Sequence, residues 1–177
     1  MTTRPFEHFV PEIGEGVYID PTALVIGQVR IGRDSSIWPM AIVRGDVHAI
    51  TIGERTSVQD GCVLHVTHAG PYHPEGHDLV IGNDVTIGHK AMLHGCQIGN
   101  ECLIGMGSVV MDGAVVEDHV VLGAGSIVPP GRTLTSGHLW VGSPARKIRP
   151  LTDEEMAFFK YSARNYVHLK NRYLASQ

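Results

Sequence analysis

A branched apolar residue returns at every sixth position through most of this chain, and that period constrains the fold more than any other feature. Ile19, Val25, Ile31, Ile37 and Val43 keep the step, and after a slip Ile52, Val58 and Leu64 resume it. Beyond a polar loop come Ile81, Ile87 and Leu93. One residue is then dropped, and Ile98, Ile104, Val110, Val116, Leu122, Val128 and Leu134 follow. Neither an α-helix nor an ordinary strand has this period. A six-residue unit accommodates one short strand and a turn, and three units close a triangular coil of about 18 residues. Successive coils then hydrogen-bond at a strand spacing of about 4.8 Å and bury a column that no single repeat could bury.

The other positions of the repeat fit such a coil. Gly follows the apolar residue at 32, 53, 82, 88, 99, 105 and 123, where it is expected to relieve the turn. Four residues after the apolar one a small or β-branched residue recurs, as at Ala23, Ser35, Ala41, Thr56, Cys62, Ala91, Cys102 and Ser108, and should sit near a corner. Cys62 and Cys102 fall in this class directly, and Cys96 joins it through the dropped residue. The three cysteines are odd in number and form no C-x-x-C pair, so they read as packing residues in a reducing compartment rather than a disulfide framework. Apolar residues make up 43% but aromatics only 6%, which suits an interior of Val, Ile, Leu and Ala.

Other function classes recede. The net charge of -4 comes with no basic block, which argues against nucleic acid as a partner. No segment approaches the roughly 20 apolar residues of a membrane span, and Met1–Val10 lacks a signal-peptide pattern, so a cytoplasmic location is expected. Gly105-Met106-Gly107 and Gly123-Ala124-Gly125 look like pieces of nucleotide-binding loops, but they keep phase with the hexads and open no helix.

The chain divides at the end of the repeat. Residues 1–150 read as one coiled β domain with an extended lead-in, in which Pro5 and Pro11 discourage a helix. Residues 151–177 read as an α-helix docked on it. Thr152 and Glu155 make a capping box, and Met156, Phe159, Ala163, Tyr166, Lys170 and Tyr173 fall on one helical face.

The same ruler sorts the histidines. The hexads at Val43, Leu64 and Leu93 stack, so Arg44, His65 and His94 should form one outward row. The hexads at Val58 and Ile87 belong to another side, which places Gln59, Asp60 and His89 together there. His65 and His94 can meet each other within one chain; His89 joins them only from a second chain. Such a heterologous contact closes into a ring when the rotation permits, and a three-sided prism suggests a homotrimer with shared sites and Arg44 near Asp60 of the neighbouring chain. Three neutral imidazoles with an open fourth position suit catalytic Zn²⁺, whose bound water falls in pKa toward about 7. Fe²⁺ and Co²⁺ also accept imidazole.

These segments resemble the γ-class carbonic anhydrases, and above all their short bacterial, carbonic anhydrase/acetyltransferase-like hexapeptide-repeat members. The likeness runs over nearly the whole chain. It includes Ile37-Trp38-Pro39, Val43-Arg44-Gly45-Asp46, Val58-Gln59-Asp60-Gly61, Leu64-His65-Val66-Thr67-His68, Ile87-Gly88-His89-Lys90, Leu93-His94-Gly95 and Gly142-Ser143-Pro144-Ala145. The resemblance implies a left-handed parallel β-helix with a C-terminal helix, assembled as a homotrimer with metal sites between subunits. It implies reversible hydration of CO₂ to bicarbonate, with His65, His89 and His94 as metal ligands and Gln59 orienting water or bicarbonate. It further implies an intersubunit charge network of Arg44, Asp46 and Asp60, with Tyr161 and Asn165 lining the site from the helix.

One departure bears on rate. The family's archetype carries a glutamate proton shuttle where this chain has His68, and its extended acidic loop is here the short segment Ala69–Leu79. Hydration would be weak or absent unless His68, with His73 and His77 nearby, exports the proton, a task their ordinary pKa of about 6.5 suits. Two other activities fit the same scaffold: acyl transfer or thioester hydrolysis on a CoA-linked substrate, and a metal-binding scaffold with little activity.

Overall fold

The computed structural model describes residues 2–176; positions 1 and 177, the outer ends of the two expected units, lie outside them. Strands of two or three residues stack in parallel on three faces, and each face carries one inward column. On the first face Ile19, Ile37, Val58, Ile87, Ile104, Leu122 and Trp140 are successive register partners. On the second they are Val25, Val43, Leu64, Leu93, Val110 and Val128. The third runs through Ile31, Ile52, Ile81, Ile98, Val116 and Leu134. All but Ile19, at the open end of its column, are buried. The architecture is the left-handed parallel β-helix that the resemblance implies. Two longer strands, Leu24–Ile31 and Ile42–Ile52, bend round a corner and join the second and third faces. At the far end His138–Gly142 pairs antiparallel with Ala145–Pro150 and stops the stack.

The glycines after the inward residues do a different job from the expected one. None of Gly32, Gly53, Gly82, Gly88, Gly99, Gly105 and Gly123 has positive φ. Instead the coils approach so closely there that a Cβ on Gly53 would stand 2.6 Å from the Gly82 carbonyl, and one on Gly105 2.4 Å from the Ala124 nitrogen. The left-handed turn residue comes two positions later, at Asp34, Arg55, Asp84, Lys90, Glu101, Gly107 and Gly125. Spacing located these glycines, but close backbone approach, not turn conformation, is what selects them.

The corner residues have a shared task that explains why Ser, Thr and Cys alternate with Ala. Ser35 Oγ donates to Gly53 O at 2.7 Å and Thr56 Oγ1 to Gly82 O at 2.8 Å. The Cys62 thiol points in the same way at Gly88 O, at 3.2 Å. All three cysteines are buried and free. Burial pushes the Cys62 thiol up to about 11 and those of Cys96 and Cys102 up to about 12, so none is a ready nucleophile at neutral pH.

The C-terminal helix spans Asp153–Leu174 and starts with the capping box: Glu155 N donates to Thr152 Oγ1, and Thr152 N donates to Glu155 Oε2. Its buried side chains include Phe159, Ala163 and Lys170 of the expected face, and also Ser162, whose hydroxyl lies 2.7 Å from Thr86 Oγ1. Lys170 is held by Asp34 at 2.8 Å. The helix therefore lies along the first face, over Ser36–Ile37 and Thr86–Ile87, beside Gln59. Among the described residues, no helix is long and apolar enough to cross a membrane.

Candidate metal centre

The parallel ladder makes His65 and His94 direct register partners on the second face, with ring centroids 5.2 Å apart and planes at 83°. One coil away, the Arg44 carbonyl accepts from His65 Nδ1 at 2.7 Å. His94 Nδ1 lies 2.6 Å from Asp112 Oδ1. On the first face His89 Nδ1 stands 3.0 Å from Asp60 Oδ2. A carbonyl or carboxylate oxygen can only accept, so Nδ1 of His65 and His94 carries the proton. The Nε2 of His65 and of His94 is then left with its lone pair free, the state in which histidine binds metal, whereas His89 has the Asp60 carboxylate near its Nδ1 without a hydrogen bond between them. The donor set of this chain thus fits a divalent cation such as Zn²⁺. Burial pushes the His65 imidazole down, which keeps it neutral.

Within one chain these donors do not converge. Among the described residues, no three His, Cys, Asp or Glu side chains gather round one point. His65 and His94 share a face, while Gln59, Asp60 and His89 occupy the other. Beside the histidine row runs a second outward row, Ile42, Val63, Met92, Val109 and Ile127, also in register from coil to coil. Ile42 and Met92 are 38% and 44% exposed, so the second face offers apolar surface next to its imidazoles.

The other expected site residues fall into place as follows. Arg44 pairs with Asp46 Oδ2 at 2.5 Å. Burial raises the Asp46 carboxyl, but the Arg44 hydrogen bond and charge outweigh it and hold the group below the usual carboxylate range. Asp46 Oδ1 is buried with no hydrogen-bond partner among the described residues. Gln59 is buried and Asp60 half-exposed. Tyr161 is 66% exposed, and Asn165 is exposed on the same helix. His68 is exposed at the start of a loop whose feet, Thr67 and His77, exchange backbone hydrogen bonds at 3.0 and 2.9 Å.

Two residues with roles here lie outside the sequence expectations for the site. Tyr166 borders Gln59, and burial and the Asp60 charge raise the pKa of its phenol. It also borders a groove of about 340 Å³ between helix and coil, lined by Gln59, Met106, Ala124 and Phe158 among others. Asp112 is the second. It lies one coil further on, two residues after the inward Val110, whereas His94 follows the inward Leu93 directly, so the hexad positions carried no signal for the pair.

The chain matches the family model described as bacterial transferase hexapeptide (six repeats) over residues 11–45, 78–110 and 95–130. Protein YrdA of Escherichia coli K12 is 56% identical over 171 residues, 97% of this chain and 93% of that protein. Gamma carbonic anhydrase 1, mitochondrial, of Arabidopsis thaliana is 44% identical over 168 residues, which are 93% of this chain and 60% of the plant protein. A solved structure, a hexapeptide transferase family protein from Anaplasma phagocytophilum, superposes with a TM-score of 0.89 at 41% identity, covering 97% of this chain and 98% of that one.

Proposed function

We propose a function from the premise that this chain belongs to the hexapeptide-repeat family, as a relative of YrdA: it is a metalloenzyme of the γ-carbonic-anhydrase type, working as a homotrimer and interconverting CO₂ and bicarbonate. The observation that carries this reading is the His65–His94 rung, two imidazoles with Nδ1 committed to an oxygen acceptor and Nε2 free, together with a third imidazole, His89, beside Asp60 on the adjoining face. The 44% identity to a protein named gamma carbonic anhydrase 1 supports it. His65 and His94 of one chain, with His89 of a neighbour, would hold Zn²⁺, or Fe²⁺ or Co²⁺. When bound, such an ion lowers the pKa of coordinated water to near 7, the chemistry that CO₂ hydration needs.

The chain's own residues would supply the rest. The buried Gln59 amide, bordered by Tyr166, can donate to one substrate oxygen and accept from another group, and so orient water or bicarbonate. Arg44, fixed by Asp46, presents its remaining N–H groups at the joint between chains, where Asp60 of the neighbour would accept them. The orphaned Asp46 Oδ1 would find its donor in the same joint. Ile42, Met92 and their row would be covered there. Tyr161 and Asn165 would line the assembled site from the exposed side of the helix. His68 would take the proton out, with His73 and His77 behind it; His73 Nδ1 and His77 Nε2 are 3.3 Å apart.

The test is metal content and stopped-flow CO₂ hydration of protein loaded anaerobically with Zn²⁺ or Fe²⁺, with His94→Ala as control. Metal-dependent hydration lost in the variant is the expected result. Full occupancy without hydration would overturn the lyase reading. That outcome would favour acyl transfer or thioester hydrolysis, the reading to which the apolar groove beside Gln59 and Tyr166 lends weight.

A further inference from the structure

A metal-ligating histidine is only as good as the group that holds its other nitrogen. The three candidate ligands differ sharply in this respect. His65 leans on a backbone carbonyl, and Asp60 beside His89 is half-exposed and makes no hydrogen bond to it. Asp46, held by Arg44, stays 3.8 Å from His65 Nδ1, and only His94 has a held carboxylate at hydrogen-bond distance. Asp112 Oδ1 is 2.6 Å from His94 Nδ1, and Asp112 Oδ2 accepts from Thr67 Oγ1 at 2.8 Å. Both oxygens of the carboxylate are therefore committed, and the group cannot rotate without losing one of its bonds.

The backbone is shaped around this contact. Gly95, directly after the histidine, has φ +51, and a Cβ there would meet Asp112 Oδ1 at 2.5 Å and His77 Cβ at 2.7 Å. Gly95 N donates to His65 O, and Gly113 N donates to Gly95 O, so the three coils are pinned at this corner. Thr67 in turn exchanges two backbone hydrogen bonds with His77, closing the loop between them. We infer that Asp112 is a positioning residue for His94. It fixes the Nδ1–H tautomer and the ring orientation, and with Thr67 it ties that orientation to the foot of the 68–76 loop. The effect on metal affinity rests on the metal-centre reading above; the tautomer does not.

An ordinary turn aspartate, which Met111-Asp112-Gly113 resembles, would matter for folding alone. The two roles separate by measuring the imidazole itself. In ¹⁵N-labelled, metal-free protein, long-range proton–nitrogen correlation spectra report the His94 tautomer. Wild type and Thr67→Val should show Nδ1–H, whereas Asp112→Ala should show a mixture or Nε2–H. Asp112→Asn, which keeps an acceptor but loses the charge, should keep the tautomer and guards against a folding defect in the alanine variant. Competition of Zn²⁺ against a chromophoric chelator should then show affinity reduced about 10- to 100-fold in Asp112→Ala and by less in Asp112→Asn. A folded Asp112→Ala protein with the wild-type tautomer overturns the inference, as does a wild type whose His94 carries its proton on Nε2. A wild type that binds no Zn²⁺ overturns the metal-centre reading instead, and the tautomer spectra still decide the role of Asp112.

Discussion

His65 and His94 face each other across one rung of a parallel ladder, yet each hangs from a different kind of acceptor, the Arg44 carbonyl for one and the Asp112 carboxylate for the other. The pairing comes from the repeat, since stacked hexads bring equal positions together. The mounting comes from what the next coil places behind each ring. The behaviour of the molecule under mutation should follow this division between ruler and support.

The Tyr166 side chain borders Gln59 in the groove between helix and coil. Tyr166→Phe removes the phenol hydroxyl and should lower kcat/KM for hydration by roughly tenfold or less, up to the worth of one hydrogen bond of about 0.5–1.5 kcal/mol, with little change in Tm. Tyr161→Phe, at a side chain far more exposed, should change kcat/KM less. Parallel stopped-flow measurements decide it: equal effects of the two variants would remove Tyr166 from the site.

Close approach of the coils makes Gly105 a packing residue. Gly105→Ala forces a methyl to within 2.4 Å of the Ala124 nitrogen, and the coils must part. The expected loss is on the order of 1–3 kcal/mol by chemical denaturation, the usual cost of overpacking. Gly107→Ala meets nothing within 4 Å and bears only its positive φ, at about 1–2 kcal/mol. A neutral Gly105→Ala would mean that the coil spacing is looser than described.

The helix start should be sensitive to acid. The Arg149 hydrogen bond, helped by the Thr152 N–H, holds Glu155 down to about 2, against an ordinary 4.5. A depressed carboxylate contributes stability that is present above pH 4.5 and lost as pH falls from there toward 2. Protection of the first helical turn against hydrogen exchange, taken relative to the intrinsic exchange rate at each pH, should therefore fall across that window in the wild type. In Glu155→Gln protection should already be low at pH 5 and change little. Matching pH profiles for the two proteins would contradict the capping assignment.

Buried thiols should stay silent. With Cys62, Cys96 and Cys102 all raised by burial, the native protein should take up almost no thiol reagent at pH 8, whereas the denatured chain should take up three equivalents. Rapid labelling of the native state would mean that at least one corner of the coil opens readily.

Much of this was legible from spacing. The six-residue step is enough to derive the three inward columns, the His65–His94 rung and the separation of His89, because a parallel coil repeats each position directly above itself. Position alone could not assign the supports. Asp112 sits two residues after its inward Val110, while His94 sits one after Leu93, and only the path of the corner brings the two side chains together. Helical spacing placed Tyr166 on the inner face with Phe159 and Ala163, but it gave no sign that it would share a groove with Gln59. The glycines were found at the right places for a reason other than the one their usual conformation suggests, since a close approach between coils leaves the same trace in a sequence as a turn.

The central claim is that the metal centre is built by two chains, and complementation tests it most directly. His89→Ala and His94→Ala proteins should each bind no more than residual Zn²⁺. Mixed, unfolded and refolded together, they should form hybrid oligomers in which a joint with intact His65 and His94 on one chain and intact His89 on the other recovers tight Zn²⁺ binding. Hybrids no better than their parents, from a wild type that binds Zn²⁺ tightly, would contradict a shared site.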